Sequence, residues 1–290
     1  MMQWSYDALL KWGTDELTAH DVENAALDAW YLLEHIYGIS RVDFLMRRSD
    51  SFDAAQMEKS TAYQALIRQR SEGFPVQYLT GSTEFMGLPF LVNEHVLIPR
   101  QDTEILVEEV LKQLHDGMRV LDMCTGSGCI LLSLLHYSND CEGLGVDLSA
   151  EALEVAGRNV LKVLTQEKSE HAHFLQSDLF EKVEGKFEII VSNPPYIASA
   201  EIEKLMPEVR DHEPRMALDG TEDGLHFYRR IIKEAGKHLV NSGMLFFEIG
   251  YDQGQAVSEL MRAQGYREVQ VVQDYAGLDR VVLGTYCERN

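Results

Sequence analysis

The sequence predicts an α/β fold: a doubly wound, mostly parallel sheet preceded by a small all-helical domain. Three observations carry this. Residues 1 to about 73 repeat apolar side chains at helical spacing; beyond residue 100 short apolar runs alternate with helical patterns; and a glycine-bearing turn closes the first of those runs. The chain of 290 residues is long enough for two domains, and 45% hydrophobic with 25% charged residues is ordinary globular composition.

In the first part, Trp4, Leu9 and Trp12, then Ala25, Leu27, Trp30, Leu33 and Ile36, then Met57, Tyr63, Leu66 and Ile67 mark helical faces, with breaks near Gly13, Gly38 and Gly73. Residues 1–80 are read as a helical domain whose aromatic residues form its core. The opening stretch interleaves apolar residues with charges, so it is neither a secretory signal nor a membrane span, and the protein is expected in the cytoplasm. "EFMGLPFLVNEHVLIPR" reads as a bridging hairpin over about 82–99, at the start of a second domain spanning 81–290. A helix from Asp102 to about His115 follows, then the strand "RVLDM", a helix from Ile130, "EGLGVDL", a helix over Ala150–Leu164, "AHFLQS" and "FEIIVS". A helix over Gly224–Leu239, "GMLFFEI", a helix from Gln253, "REVQVVQD" and "DRVVLGTY" complete the alternation.

Charge and cysteine content exclude several classes. The net charge is −21, with 7 Lys and Arg against 12 Asp and Glu over residues 1–80 and 19 against 35 over residues 81–290. A protein that grips a nucleic-acid backbone concentrates positive charge, and the doublets Arg47-Arg48 and Arg229-Arg230 are accounted for as solvated helix faces. Cys124, Cys129, Cys141 and Cys287 have neither paired spacing nor a nearby histidine cluster; no metal site or disulfide framework is expected, and they are read as buried thiols.

Chemistry gathers at strand ends. After "VLDM" comes the loop Cys124-Thr125-Gly126-Ser127-Gly128, whose glycines permit a tight turn and a close backbone approach to a ligand, although the spacing is not GxGxxG. Asp147 ends the next strand about 20 residues on, where a carboxylate either accepts ribose hydroxyls or caps the helix that begins near Ala150. Asp178 ends a third strand, beside Leu179 and Phe180, and suits the amino edge and flat face of an adenine. A fourth ends in Asn193-Pro194-Pro195-Tyr196, which must leave the sheet because proline cannot donate to a ladder.

The ordered set "PVQYLTG", "VLIPRQDTE", "LDMCTGSG", "VDLSAEAL", "SDLF", "NPPYI", "EPRMALDGTEDGL" and "FFEIGYDQG" covers nearly the whole chain. It resembles the PrmC/HemK family, the protein-(glutamine-N5) methyltransferases of peptide chain release factors. The resemblance implies a Rossmann-like methyltransferase domain, S-adenosyl-L-methionine as donor with S-adenosyl-L-homocysteine as product, and the glutamine of a release factor's Gly-Gly-Gln motif as acceptor. It implies Cys124 to Gly128, Asp147, Leu179 and Asn193 around the donor, and Asn193 to Tyr196 around the substrate amide. The chain departs from the family's usual glycine at Cys124, from its frequent alanine at Cys129 and from its frequent aromatic residue at Leu179.

An amide nitrogen is a poor nucleophile because its lone pair is delocalised into the carbonyl. The side-chain oxygen of Asn193 and the carbonyl of Pro194 can each accept an N–H, holding the NH₂ face toward an electrophilic methyl and stabilising developing positive charge. The prolines fix the backbone, and Tyr196 packs over the planar amide. Arg100 either braces the site or touches substrate, and Glu248 lies at the same sheet edge. The segment "HEPRMALDGTEDG" either closes over the site or is a packed connection. Two other classes share part of this signature: an amino-methyltransferase acting on adenine or guanine, which the acidic composition opposes, and a non-catalytic donor-binding regulator, which has no use for NPPY.

Overall fold

The computed structural model describes residues 4–288; residues 1–3 and 289–290, the outer ends of the two expected domains, lie outside the described residues. Two compact units result. One comprises residues up to Gly81 together with Met206–His212, the other Ser82–Leu205 and Glu213 onward.

The first unit contains α1 (Tyr6–Ala19), α2 (Ala25–Tyr37), α3 (Arg41–Arg47), α4 (Ala54–Ser71) and α5 (Val76–Thr80). Local chemistry sets their ends. Asp53 and Gln56 form a capping box at the start of α4, each side chain accepting the other's backbone N–H, and Gly38 ends α2 at φ 63°. Gly13, expected as a break, instead lies inside α1, because α4 approaches so closely there that a Cβ would stand 2.1 Å from the Tyr63 hydroxyl. Leu9, Leu17, Leu32, Leu33, Tyr63 and Ile67 form the dry centre, and Trp30 meets Phe44 edge-on at 5.3 Å. Arg70 is buried among them, donating through Nε to Asp28 at 2.6 Å and paired through Nη1 with Glu208 at 2.7 Å. That second bond holds Met206–His212 in this unit, where the His212 ring packs on Phe74 at 4.1 Å.

The second unit opens with β1 (Ser82–Phe85) and β2 (Leu88–Leu91), joined through Met86 and Gly87, both at positive φ as a two-residue primed turn requires. The strands stop at Leu91, short of the expected hairpin, and the Asn93 side chain turns the chain by accepting the N–H of His95. Then come α6 (Asp102–Leu111), β3 (Arg119–Met123), α7 (Cys129–Tyr137), β4 (Glu142–Asp147), α8 (Ala150–Val163), α9 (Gln166–Ser169), β5 (Ala172–Gln176) and β6 (Phe187–Ser192). The short helices α10 (Ser199–Ile202) and α12 (Arg215–Leu218), between which the chain forms α11 (Pro207–His212) of the first unit, precede α13 (His226–Ala235), β7 (Leu239–Glu248), α14 (Gly254–Gln264), β8 (Arg267–Gln273) and β9 (Asp279–Thr285). Leu239, expected at a helix end, starts β7 because it pairs with Phe187.

The seven-stranded sheet has the order β5-β4-β3-β6-β7-β9-β8, parallel from β5 to β7 and antiparallel at β9 and β8. Alternate residues face opposite layers, as strand geometry demands. Val120, Ile189, Phe246 and Val281 pack with α6, α7 and α8, whereas their neighbours Leu121, Ile190, Phe247 and Val282 pack with α13 and α14. From β3 the chain winds outward through β4 to β5, then returns to β6 on the other side. The boundary between β3 and β6 is therefore the topological switch point, outside whose carboxyl ends an open α/β sheet binds ligands.

Candidate active site

A cavity, partly open to solvent, lies at that switch point. Cys124 to Ser127 line it after β3, Asp147 to Ser149 after β4, Ser177 to Leu179 after β5, and Asn193 and Pro195 after β6. Four strand ends far apart in sequence thus meet at one cavity. Gly128, Pro194 and Tyr196 do not line it: Gly128 starts α7 at φ 77°, Pro194 is buried, and the Tyr196 hydroxyl donates to Glu248 at 3.3 Å.

The loop after β3 is held from two sides. Beneath it, Asp122 is fully buried and accepts the Thr125 hydroxyl at 2.6 Å and the N–H of Leu131 at 3.3 Å. Burial pushes its carboxyl up to about 7, with those two hydrogen bonds opposing. Across the loop, Asp147 accepts the N–H of Gly126 through Oδ2 and of Ser149 through Oδ1, both at 2.9 Å. Burial raises the Asp147 carboxyl too, and these backbone bonds counter the shift. Asp147 is not the cap of α8. Ser149 is, its hydroxyl accepting the N–H of Ala152 at 3.0 Å.

Glycine geometry bears on what the cavity admits. Gly126 adopts φ 54°, and a Cβ added there would meet no atom within 4 Å, so the backbone borders open space. Cys124 also lies at positive φ (63°), a conformation that glycine adopts freely and other residues rarely. The residue lines the cavity, and its thiol stays protonated because burial and then the Asp147 and Asp122 carboxylates raise its pKa. Cys129 and Cys141 are buried, while Cys124 and Cys287 are partly exposed. Leu179 sits at φ 49° with its side chain in the core beneath α13, and Asp178 pairs with Arg230 at 2.9 Å. The other half of that doublet, Arg229, pairs with Asp223.

The opposite wall comes from segments whose part the strand pattern did not reveal: His95 to Leu97, Pro99, Arg100 and Thr103 before and within α6, and Pro214, Met216 and Ala217 around α12. Arg100 is paired with the buried Glu213, whose other oxygen accepts the N–H of Ile98 at 3.3 Å. One signal for Asp122 was present, an acid inside an otherwise apolar strand; Glu213 had none, lying in a polar stretch. The segment "HEPRMALDGTEDG" divides between the two possibilities. Its Pro214, Met216 and Ala217 line the cavity, whereas Asp219 to Gly224 pack on NPPY: Gly220 N–H donates to Ile197 O at 2.8 Å, and a Cβ on Gly224 would stand 2.3 Å from the Tyr196 carbonyl. The Gln253 side chain donates to that carbonyl at 3.0 Å. NPPY is thereby a clamped loop, with Asn193 left at the cavity edge.

Glu248, at the end of β7, is 2% exposed. Burial raises its carboxyl, and the Thr103 hydroxyl, then Arg280 and Tyr196, act to keep it charged. Arg280 is itself held by Asp102 at 3.0 Å and Asp274 at 3.1 Å. Among the described residues no group of three His, Cys, Asp or Glu side chains is placed to hold a metal ion, and no helix is long and apolar enough to cross a membrane.

Comparison with known proteins places this geometry in a family. Residues 8–81 match the PrmC N-terminal domain and residues 100–209 the Methyltransferase small domain. The release factor glutamine methyltransferase of Agrobacterium fabrum is 40% identical over 272 residues, covering 92% of each chain. That of Moorella thermoacetica is 43% identical over 271 residues, covering 92% of this chain and 93% of its own. Among solved structures, a methyltransferase from Pyrococcus furiosus superposes with a TM-score of 0.51 at 17% identity, covering 79% of this chain and 100% of its own, which shows the shared fold. With a helical amino-terminal unit, a doubly wound sheet and relatives matched along almost their full length, the chain belongs to the release factor glutamine methyltransferases, the S-adenosylmethionine-dependent protein-glutamine N5-methyltransferases.

Proposed function

We propose that this enzyme methylates the side-chain amide nitrogen of the glutamine in the Gly-Gly-Gln motif of peptide chain release factors, with donor and amide meeting at the cavity edge where Asn193 stands. The observation that carries the reading is the convergence of the Cys124–Ser127 loop, Asp147, Asp178 and Leu179 with Asn193 on one cavity at the switch point. The residues present fit S-adenosylmethionine. Gly126 borders open space, Asp147 presents two carboxylate oxygens with acceptor capacity beyond their backbone bonds, and Leu179 offers an apolar surface. When bound, that cofactor supplies an electrophilic methyl on a sulfonium.

The chain's own residues orient the nucleophile. Asn193 Oδ1, at the cavity edge, accepts an amide N–H, which favours the geometry in which the nitrogen lone pair leaves conjugation. Pro194 and Pro195 fix this arrangement before substrate arrives, and the bonds from Gln253 and Gly220 hold the loop rigid. Asn193 is not a base, and Tyr196 is kept protonated by burial and by Glu248, so the amide proton passes to water after transfer. Tyr196 acts by packing behind the acceptor rather than by titrating. The helical unit recognises the body of the release factor, and the acidic chain works in the cytoplasm without nucleic acid as a partner.

Incubation with labelled S-adenosylmethionine and either a release factor or nucleic acid, followed by mass spectrometry, tests the substrate class. Label on the Gly-Gly-Gln glutamine is expected, and label on nucleic acid alone overturns the reading. In the same assay Asn193→Ala should lower the single-turnover rate by on the order of 10²–10³, as loss of one oriented transition-state partner does, with donor affinity much less affected.

A further inference from the structure

Helix α8 buries Ala152, Val155, Ala156, Val160 and Val163, and one amide stands in that apolar stripe: Asn159, 0% exposed. Its side-chain hydrogen bonds all go to the backbone of other segments. Oδ1 accepts the N–H of Leu91 at 2.7 Å, and Nδ2 donates to the Leu91 carbonyl at 3.1 Å and to the Ser127 carbonyl at 2.9 Å. The partners dictate this orientation, since a backbone N–H needs the oxygen and two carbonyls need the two protons of the NH₂. Leu91 is the last residue of β2, and Ser127 belongs to the loop after β3. Helix α8 reaches the end of that loop three residues earlier as well, where a Cβ on Gly128 would stand 3.2 Å from Ala156 Cβ.

Neither Asn159 nor Leu91 lines the cavity, yet the amide joins its two sides. Ser127 lines it from the strand ends. From Leu91 the chain makes a short turn, closed by the Val96 N–H on the Asn93 carbonyl at 3.1 Å, and supplies His95, Val96, Leu97, Pro99 and Arg100 to the opposite wall. We propose that Asn159 is a positioning residue for the methyl donor, a cross-link that sets the spacing between the donor loop and the facing wall and keeps the Ser127 carbonyl turned to α8. The Ser127–Gly128 peptide needs such a hold, because Gly128 at φ 77° has the conformational freedom to let that peptide rotate. A rotated peptide would change which backbone groups the loop presents to the donor. Asn159 itself stands outside the cavity, so its loss should weaken donor binding and leave the transfer step nearly intact.

The inference rests on the reading of the Cys124–Gly128 loop as the donor site, and the test keeps the two apart. Asn159→Asp preserves the shape and the acceptor for Leu91 but removes both N–H donors; Val163→Ala loosens the same face of α8 one turn further on and touches none of these bonds. In Asn159→Asp the dissociation constant for S-adenosylmethionine should rise at least tenfold, with the single-turnover rate at saturating donor within threefold of the parent. Val163→Ala should lower the melting temperature and shift that constant less than twofold. A folded Asn159→Asp enzyme that binds the donor as the parent does, beside a weakened Gly126→Ala, overturns the cross-link and leaves the donor loop standing. Comparable weakening in Asn159→Asp and Val163→Ala also overturns it, because a general loosening of α8 is then sufficient. Normal binding in Gly126→Ala removes the donor loop, and the cross-link falls with it. The parent enzyme supplies a measurement that needs no variant: saturating S-adenosylmethionine should slow amide hydrogen exchange at Leu91 by at least five times the factor seen at Met86, whose N–H the same hairpin donates to Glu104 at 2.7 Å. Equal slowing at the two amides overturns the coupling even where Asn159→Asp fails to fold.

Discussion

Gly126 and Gly128 lie two residues apart in the same loop, both at positive φ, and an added methyl meets opposite surroundings at the two positions. At Gly126 (φ 54°) an alanine Cβ touches nothing within 4 Å; at Gly128 (φ 77°) it stands 3.2 Å from both Ala156 Cβ and Leu132 Cδ1. Left-handed backbone costs a non-glycine residue about 1–2 kcal/mol, so each alanine should lower stability by that amount. Gly128→Ala adds overpacking against α8 and α7 worth about 1–3 kcal/mol more. Gly126→Ala escapes that second cost in the free enzyme and meets it when the donor fills the open space. The expected result is a crossed pattern. Gly128→Ala melts well below Gly126→Ala, while Gly126→Ala loses at least tenfold in affinity for S-adenosylmethionine and Gly128→Ala loses less. Thermal melts and titration calorimetry on both variants measure the two quantities. If Gly126→Ala binds the donor as the parent does, the open space beside Gly126 is not donor space, and the assignment of the Cys124–Gly128 loop fails.

Three further outcomes follow from the same geometry. Asp147→Ala should weaken donor binding by about 1.5–3 kcal/mol, the range for hydrogen bonds to a charged group; because Asp147 also holds the N–H groups of Gly126 and Ser149, its melting temperature should fall too, and unchanged calorimetric affinity would sink the assignment. Asp122, with its folded pKa raised to about 7 from an ordinary ~3.9, favours the protonated fold: this stabilisation is complete below about pH 4 and is lost as pH rises through 7, amounting to about 4 kcal/mol at most. Asp122→Asn should therefore flatten the dependence of melting temperature on pH across that window, and parallel curves for the two proteins would refute the shift. Gly13→Ala should destabilise the helical unit even though alanine is the better helix former by about 1 kcal/mol, because its Cβ would lie 2.1 Å from the Tyr63 hydroxyl; a higher melting temperature would show that α4 gives way freely.

Period and punctuation in the sequence determined the architecture, because local chemistry enforces them. The alternation of apolar runs and helical faces fixed a doubly wound sheet, since adjacent residues such as Val120 and Leu121 must bury against opposite layers. Prolines at 194 and 195 forced the chain out of β6 whatever lay nearby, and the ordered motifs carried the family. Asp147, Asp178 and Asn193 were visible as polar residues at strand ends, where only the sheet's connectivity was needed to bring them to one cavity. What tertiary structure alone decided were the pairings between distant segments. Gly13 looked like a helix break because a glycine's freedom is visible in sequence and the neighbour that demands it, Tyr63, is not. Residues 206–212 belong with the helical unit through Arg70 and Glu208, a contact across more than a hundred positions that no local pattern encodes. Asp147 could be weighed as a cap until Ser149 was seen to occupy that place. The surroundings of NPPY are of the same kind: Thr103 reads as an ordinary helix-start residue and Glu248 as the end of a strand, and they come to bond Asn193 and Tyr196 respectively only because β6 lies beside β7 with α6 packed against β7. A side chain's type is written in the chain, but the direction of its hydrogen bonds is set by whichever groups the fold brings within about 3 Å.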